Sequence, residues 1–301
     1  SDWSSDVCSS DLVRNSGVNR LSLGVQSFDD AVLRFLGRAH TSTEAAEVVA
    51  EARKAGFDNL SVDLILATAP SSMAVLARDL DRIAALAPEH VSAYLLGVEE
   101  GTPFGRRAAR GENLALGEEQ ARAQYLFVHE RLSAVGYTHY EISSYALPGR
   151  ESRHNSLYWS GAAYLGLGPG AHSYLPGQDG RAPMRCANTP DPARYIENIR
   201  LGQSALAFTE TLDPQTVRKE CFMTALRRAK GLSEEDLGAR GLAGFSAAEE
   251  ALFARFTDEG LACRARRDSG ARAWALTPAG WLISDALFEE LFCVVGASET
   301  A

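Results

Sequence analysis

Leu60-Ser61-Val62-Asp63-Leu64-Ile65-Leu66 (residues 60–66) is the stretch on which the fold turns. It is nearly continuous in apolar residues except for Asp63. Such a run suits a parallel strand covered on both faces. Upstream, Leu21, Leu23 and Val25 alternate with polar or small residues, a second strand signal. Between the two lies a helix pattern. Thr41 and Glu44 form a capping box, Ala45, Val48, Val49, Ala52 and Ala55 share one face, and Gly56 supplies the stop. Downstream, Leu76, Leu80, Ile83 and Ala87 mark a helix ended by Pro88, and Val91 to Leu96 reads as a strand. Ala121, Tyr125, Val128, Leu132 and Val135 mark a third helix, with a short strand from Thr138 to Ser143. Three β-then-α units in a row predict a parallel α/β sheet, open or barrel-like, whose ligands sit at the carboxyl ends of the strands.

The pattern changes after residue 145. Glycine and aromatics dominate to about residue 180, and a second domain is expected from residue 205. There Asp213 with Pro214, Ser233, and Ser246 with Glu249 read as helix starts. Strand-like segments near Leu261 and at Ala273–Leu276 flank a turn at Asp268–Gly270. Helices followed by a hairpin have the outline of a winged helix. The expected division is a leader at 1–11, a first domain at 12–180, a linker at 181–204, a second domain at 205–291 and a tail at 292–301. The leader, SDWSSDVCSSD, has no periodicity and resembles translated adapter or vector sequence, so Cys8 is expected to carry no biology.

Composition narrows the function classes. The 301 residues carry 30 Lys+Arg against 39 Asp+Glu, a net charge of −9. An acidic chain is a poor general partner for nucleic acid, whose phosphates need clustered positive charge. Arg264, Arg266, Arg267 and Arg272 do cluster on the hairpin, but Glu249, Glu250, Asp258 and Glu259 precede them. No apolar run approaches the ~18–20 residues of a membrane span, and a cytoplasmic setting is the expectation. Cys8, Cys186, Cys221, Cys263 and Cys293 are too widely spaced for a local metal or cluster motif.

Several residues stand out chemically. Gln26 and Arg38 flank the first strand–helix junction, where they meet a ligand or merely decorate a solvated loop. Asp63 interrupts a buried run, so it pairs structurally or reaches a polar cavity. His154 precedes Tyr158 and Trp159, a set that either forms a heme contact or is a loop histidine beside core aromatics. Gly166-Leu167-Gly168-Pro169-Gly170, followed by Ala171 and His172, lets backbone approach a ligand, but it lacks the dinucleotide spacing and any P-loop lysine.

Together the motifs form an ordered series: GVNRLSLGVQSF (17–28), LGRAH (36–40), SVDLIL (61–66), VSAYLLGVEEGTP (91–103), GYTHYEISSYA (136–146), SRHNSLYWSG (152–161), YLGLGPGAHSY (164–174) and LTPAGWLISDALF (276–288). The series resembles radical S-adenosylmethionine proteins related to oxygen-independent coproporphyrinogen III oxidase, and most resembles their heme-chaperone branch. The resemblance runs from about Leu12 to Leu291. It implies part of a (β/α)6 barrel followed by a mostly helical C-terminal domain of the HemN type. It also implies S-adenosylmethionine contacts at Gln26, Arg38 and Asp63, with Ala171 and His172 on the adenosine side. His154, with Tyr158 and Trp159, maps to the heme-binding motif. The cofactors implied are S-adenosylmethionine, a [4Fe-4S] cluster and heme, and the implied partners are hemoprotein acceptors.

Two departures bear on this. The family's Gly-Leu-Pro-Gly-Gln turn reads Ala67-Thr68-Ala69-Pro70-Ser71-Ser72 here, with one inserted residue. The family's Cys-x-x-x-Cys-x-x-Cys motif, which holds the cluster, is missing. The expectation is an N-terminally shortened chain without cluster-dependent chemistry, drawn from a heme chaperone. The alternatives are an oxidase that decarboxylates coproporphyrinogen III and a winged-helix binding module without catalysis.

Overall fold

Three strands, β1 (Leu21–Gln26), β2 (Leu60–Leu66) and β3 (His90–Leu95), run parallel and side by side. The structure is a computed structural model that describes residues 12–177, 181–265, 267 and 269–297. The leader, Arg266, Asp268 and residues 298–301 lie outside the described residues. Two compact units divide between Glu151 and Ser152.

In the first unit, α1 (Asp30–Phe35) and α2 (Ser42–Lys54) connect β1 to β2, and α3 (Met73–Leu86) connects β2 to β3. Then α4 (Pro103–Ala109) and α5 (Glu118–Ala134) lead to a hairpin of β4 (Thr138–Glu141) and β5 (Ser144–Ala146). The sheet order is β1-β2-β3-β5-β4. The expected fourth strand is present but displaced by one place. The chain doubles back after Glu141, and β5 takes the slot beside β3 in antiparallel register, His90 opposite Ala146. The returning strand is three residues long, too short to show a period in sequence.

The two faces of this sheet differ. Leu60, Val62, Leu64, Leu66, Val91 and Ala93 pack into one core with Val49, Ala52, Leu76, Leu80, Ile83, Val128 and Leu132 from the helices. Strand side chains alternate, so Ser22, Ser61, Asp63, His90, Ser92, Tyr94 and Ser144 lie on the opposite face. Leu60–Leu66 is the expected parallel strand, buried or half-buried on both faces, but the two faces differ in character. Only the even-numbered residues sit under helices, and Asp63 belongs to a polar face. The capping box of Thr41 and Glu44 is present at the start of α2. Where the family has glycine, Ala67 takes φ 58°, a left-handed conformation that costs about 1–2 kcal/mol without glycine. Its neighbours hold it: the Ala67 amide donates to Gln124 Oε1 at 2.9 Å, and its carbonyl accepts from Leu116 at 2.8 Å.

The second unit opens with α6 (Arg153–Trp159). A three-stranded antiparallel sheet follows, made of β6 (His172–Leu175), β7 (Met184–Asn188) and β8 (Leu206–Thr211), with α7 (Pro192–Arg200) between the last two. The stretch expected as a linker at 181–204 thus carries β7 and α7. Asp191 caps α7 with Pro192 at its first turn, a start signal that reading the region as a connection passed over.

The chain continues through α8 (Pro214–Ala225), β9 (Leu232–Ser233), α9 (Glu234–Gly238), α10 (Ala247–Asp258), β10 (Ala262–Arg264), β11 (Ala273–Leu276), α11 (Pro278–Leu282) and α12 (Ser284–Ala297). Strands β10, β11 and β9 form an antiparallel sheet in that order. Phe222, Leu226, Leu237, Phe253, Phe256, Trp274 and Leu291 are buried in this part. The expected tail is corrected as far as Ala297, where α12 ends. Leu287, Leu291 and Val295 step by four along one buried face, so helical packing carries past residue 291. Among the described residues, no helix is long and apolar enough to cross a membrane.

Candidate functional site

Gln26 ends β1 with φ 68°, an unusual conformation for a residue with a side chain. Two neighbours make it attainable. A Cβ on Gly24 would lie 2.6 Å from the Gln26 amide nitrogen, so glycine at that position leaves room for the side chain. Beyond the strand, Asp79 of α3 clamps the loop. Its carboxylate accepts from the Ser27 hydroxyl at 2.7 Å and from the Phe28 amide at 2.9 Å. Burial pushes the Asp79 carboxyl up to about 6.

Asp63 sits on the polar face, where the Ser22 hydroxyl donates to both of its oxygens at 3.2 and 3.3 Å. Burial raises its pKa, while hydrogen bonds from Ser92, Ser22 and Ser61 pull the other way and the Arg20 charge helps least. Tyr94 shares the polar face with Asp63. Its hydroxyl donates to Gln26 Oε1 at 3.4 Å. Burial first, then the Asp63 charge, raises its pKa, and the Arg38 charge lowers it. Gln26 thus meets Tyr94 at the carboxyl end of β1, Asp63 lies further back on the same polar face beside Ser22 and Ser92, and Arg38 is exposed after α1. Sequence reasoning missed Tyr94. Its signal was alternation with Ser92 along β3.

Gln26, Asp63 and Arg38 together offer two acceptors and one guanidinium. That set fits a ligand bearing hydroxyl, ammonium and carboxylate groups, as S-adenosylmethionine does. A [4Fe-4S] cluster is different. Cys186 and Cys221 are buried and Cys263 and Cys293 exposed, and among the described residues no three His, Cys, Asp or Glu side chains gather to hold a metal. These residues do not fit a cluster and carry no cluster-dependent step.

The remaining expected residues lie in the second unit. Ala171 and His172 follow a glycine loop in which Gly168 and Gly170 take φ 101° and 70°. The Asn188 amide donates to the Gly166 and Gly168 carbonyls at 3.3 and 2.9 Å, and the Gly166 amide donates to Ser173 Oγ at 2.9 Å. The loop is thus pinned by its own sheet, and His172 is exposed at the start of β6.

On α6, a spacing of four places His154 and Tyr158 on one face. Their rings meet edge-on at 4.9 Å, Tyr158 meets Tyr164 at 4.7 Å, and Tyr164 meets Tyr174 at 6.4 Å. His154 is exposed at the outer end of this ladder. Trp159 has the Arg227 guanidinium 5.6 Å over its ring. Below the ladder lies a cavity of about 200 Å3, lined by Tyr158, Trp159, Tyr164, Tyr174, Arg185, Glu220, Cys221 and Arg240 among others. Burial pushes the Cys221 thiol up, away from the thiolate that binds iron.

On the hairpin, Arg264 and Arg272 pair with Glu250, Arg272 also with Glu234, and Arg267 with Asp236. Their charge is neutralised locally.

The comparisons with known proteins agree on one family. The family model described as the Radical SAM superfamily matches residues 10–70. The chain is 37% identical over 227 residues to the heme chaperone HemW of Mycobacterium tuberculosis strain H37Rv, covering 75% of this chain and 57% of that protein. It is 39% identical over 166 residues to the heme chaperone HemW of Lactococcus lactis, covering 55% of this chain and 44% of that protein. The chain is a HemN/HemW-like radical S-adenosylmethionine protein. The family implies S-adenosylmethionine and a [4Fe-4S] cluster as its cofactors. The chain spans about half the length of these curated relatives. Its fold matches the solved structure of the radical SAM enzyme coproporphyrinogen III oxidase (HemN) from Escherichia coli, with a TM-score of 0.73 at 20% identity, over 97% of this chain and 68% of that one. A partial radical SAM barrel fits the first unit.

Proposed function

We propose that this chain is part of a cytoplasmic heme chaperone, in which the second unit presents His154 as a ligand to heme iron beside Tyr158 and Trp159. The observation that carries this reading is the exposed His154 at the open end of an aromatic ladder. A neutral imidazole ligates iron, and flat aromatic rings cover a porphyrin face or edge. The names of the relatives support the same ligand. The protein then hands heme to hemoprotein acceptors. Titrating the chain with heme and following the Soret band tests this. His154→Ala is expected to weaken binding by roughly tenfold or more, the equivalent of about 1.4 kcal/mol. An unchanged titration removes His154 from the site. Oxidative decarboxylation of coproporphyrinogen III rests on likeness of fold alone.

In the same reading, Gln26, Arg38 and Asp63 hold S-adenosylmethionine. The residues of this chain orient it: Asp63 and Gln26 accept hydrogen bonds and Arg38 meets a carboxylate. Asp63→Asn separates binding from folding. Burial disfavours the charged carboxylate, so the neutral isostere is expected to melt at the same temperature or higher. Affinity for S-adenosylhomocysteine is expected to fall roughly tenfold or more, since a charge-assisted hydrogen bond is worth about 1.5–3 kcal/mol. Calorimetric titration beside a thermal melt reads both, and full affinity in the variant refutes the assignment.

A further inference from the structure

The cavity below the ladder holds a cation that neither proposed site uses. Arg240 follows α9, and its guanidinium donates to the Asp236 carbonyl at 2.8 Å and to the Ser160 carbonyl at the end of α6. Both acceptors are neutral. Arg218, Arg227, Arg264, Arg267 and Arg272 of the same unit each meet a carboxylate. No carboxylate among the described residues lies within ion-pair distance of Arg240. The other arginine of the cavity, Arg185, is already neutralised by Glu210 and Glu220, each at 2.7 Å.

The local chain makes room for this cation. Gly161 takes φ 65°, and a Cβ there would lie 2.4 Å from the Arg240 guanidinium. Any other residue would push the guanidinium away from the end of α6. Around it stand Tyr158, Tyr164 and Tyr174, and the charge of Arg240 is felt at the Tyr174 hydroxyl and the Cys221 thiol. A half-buried cation without a counter-charge carries a desolvation cost that an incoming carboxylate offsets. At about 200 Å3 the cavity is smaller than the roughly 300–1,000 Å3 that encloses a drug-sized ligand, so it suits one edge of a large flat molecule.

We propose that this cavity is a carboxylate subsite for a tetrapyrrole, with Arg240 anchoring a propionate while the macrocycle lies along the tyrosines towards His154. The inference rests on the heme reading above and adds a ligand class to it: propionate-bearing tetrapyrroles, not their esters. Guanidinium and carboxylate match in a two-pronged hydrogen bond that an ester cannot accept with charge.

The full chain is titrated with heme and, in parallel, with heme dimethyl ester, each followed by the Soret band. Heme is expected to bind on the order of tenfold or more tighter than the ester, with the margin shrinking at high salt. Arg240→Gln is expected to bind both ligands alike, at the ester's affinity. His154→Ala weakens both and leaves their ratio unchanged. Equal binding of heme and ester by the unaltered chain overturns the subsite and leaves the heme reading standing, a result that does not depend on any variant folding. An undiminished preference in Arg240→Gln removes Arg240 as the anchor. No Soret response to either ligand overturns the heme reading and the subsite with it.

Discussion

Arg218→Met is expected to destabilise the second unit by about 3–5 kcal/mol, the cost of stranding one partner of a buried ion pair. Arg218 of α8 meets both oxygens of Glu249 on α10, at 2.7 and 2.6 Å, and donates to the Ala243 and Gly244 carbonyls at 2.8 Å. Glu249 is only 1% exposed. It also accepts from the Ser246 amide as part of the capping box that starts α10. Removing the guanidinium leaves a buried charge and two unanswered carbonyls. Adding Glu249→Gln to the variant is expected to recover more than half of the loss, because the neutral side chain keeps the cap without the charge. Denaturant unfolding followed by tryptophan fluorescence is the measurement, since Trp159, Trp274 and Trp281 all belong to this unit. A loss below about 1 kcal/mol, the value typical of exposed pairs, contradicts the prediction.

The first unit is expected to lose about 3 kcal/mol between pH 7 and pH 5, because two buried histidines resist protonation. His90 hydrogen-bonds Ser61 Oγ and the Tyr140 hydroxyl at 2.8 Å each, and burial, with Arg20 nearby, lowers it from 6.5 to about 3. His139 stacks on Tyr145 at 4.0 Å and meets His129 at 3.1 Å. Burial first, then the His129 charge, lowers it from 6.5 to about 3. Their contribution is fully present above pH 6.5 and is lost as pH falls towards 3. At pH 5 the unfolded chain holds protons that the folded one refuses, about 2 kcal/mol per histidine. Asp79 works in the opposite sense. Its carboxyl is raised from 3.8 to about 6, so its contribution is present at low pH and lost as pH rises through 6. On acidification it returns about 1 kcal/mol, which the two histidines outweigh. Urea unfolding followed by circular dichroism at the two pH values tests the sum. His139→Phe, which keeps the stack on Tyr145, is expected to flatten the dependence by about two-thirds. Equal stability at pH 5 and 7 refutes it.

Short-range features were legible before any coordinates. The boxes at Thr41–Glu44 and Ser246–Glu249 and the Asp213–Pro214 start depend on contacts within one helical turn, and each is present. So were β1, β2 and β3, whose apolar runs report burial directly. The β4–β5 hairpin and the sheet of β6, β7 and β8 were not. Their strands are short, and their pairing partners lie elsewhere in the chain, as with Asn188 opposite Leu206. Tyr94 escaped notice because its meaning depends on which face of β3 it occupies.

The sequence by itself determined the family, because ordered motifs such as GVQSF, HNSLYW and GLGPGAH need no geometry to be read. It also pointed to Gln26, Arg38, Asp63 and His154 as chemical candidates. Only the tertiary structure decided how their surroundings act on them. Asp63 became a polar-face carboxylate under serines, and Gln26 met the Tyr94 hydroxyl. Arg240 became a cation without a counter-charge against Gly161. The physical reason is range. Motifs and caps are local in the chain, whereas burial, charge pairing and the space a side chain finds are set by residues brought close only by folding.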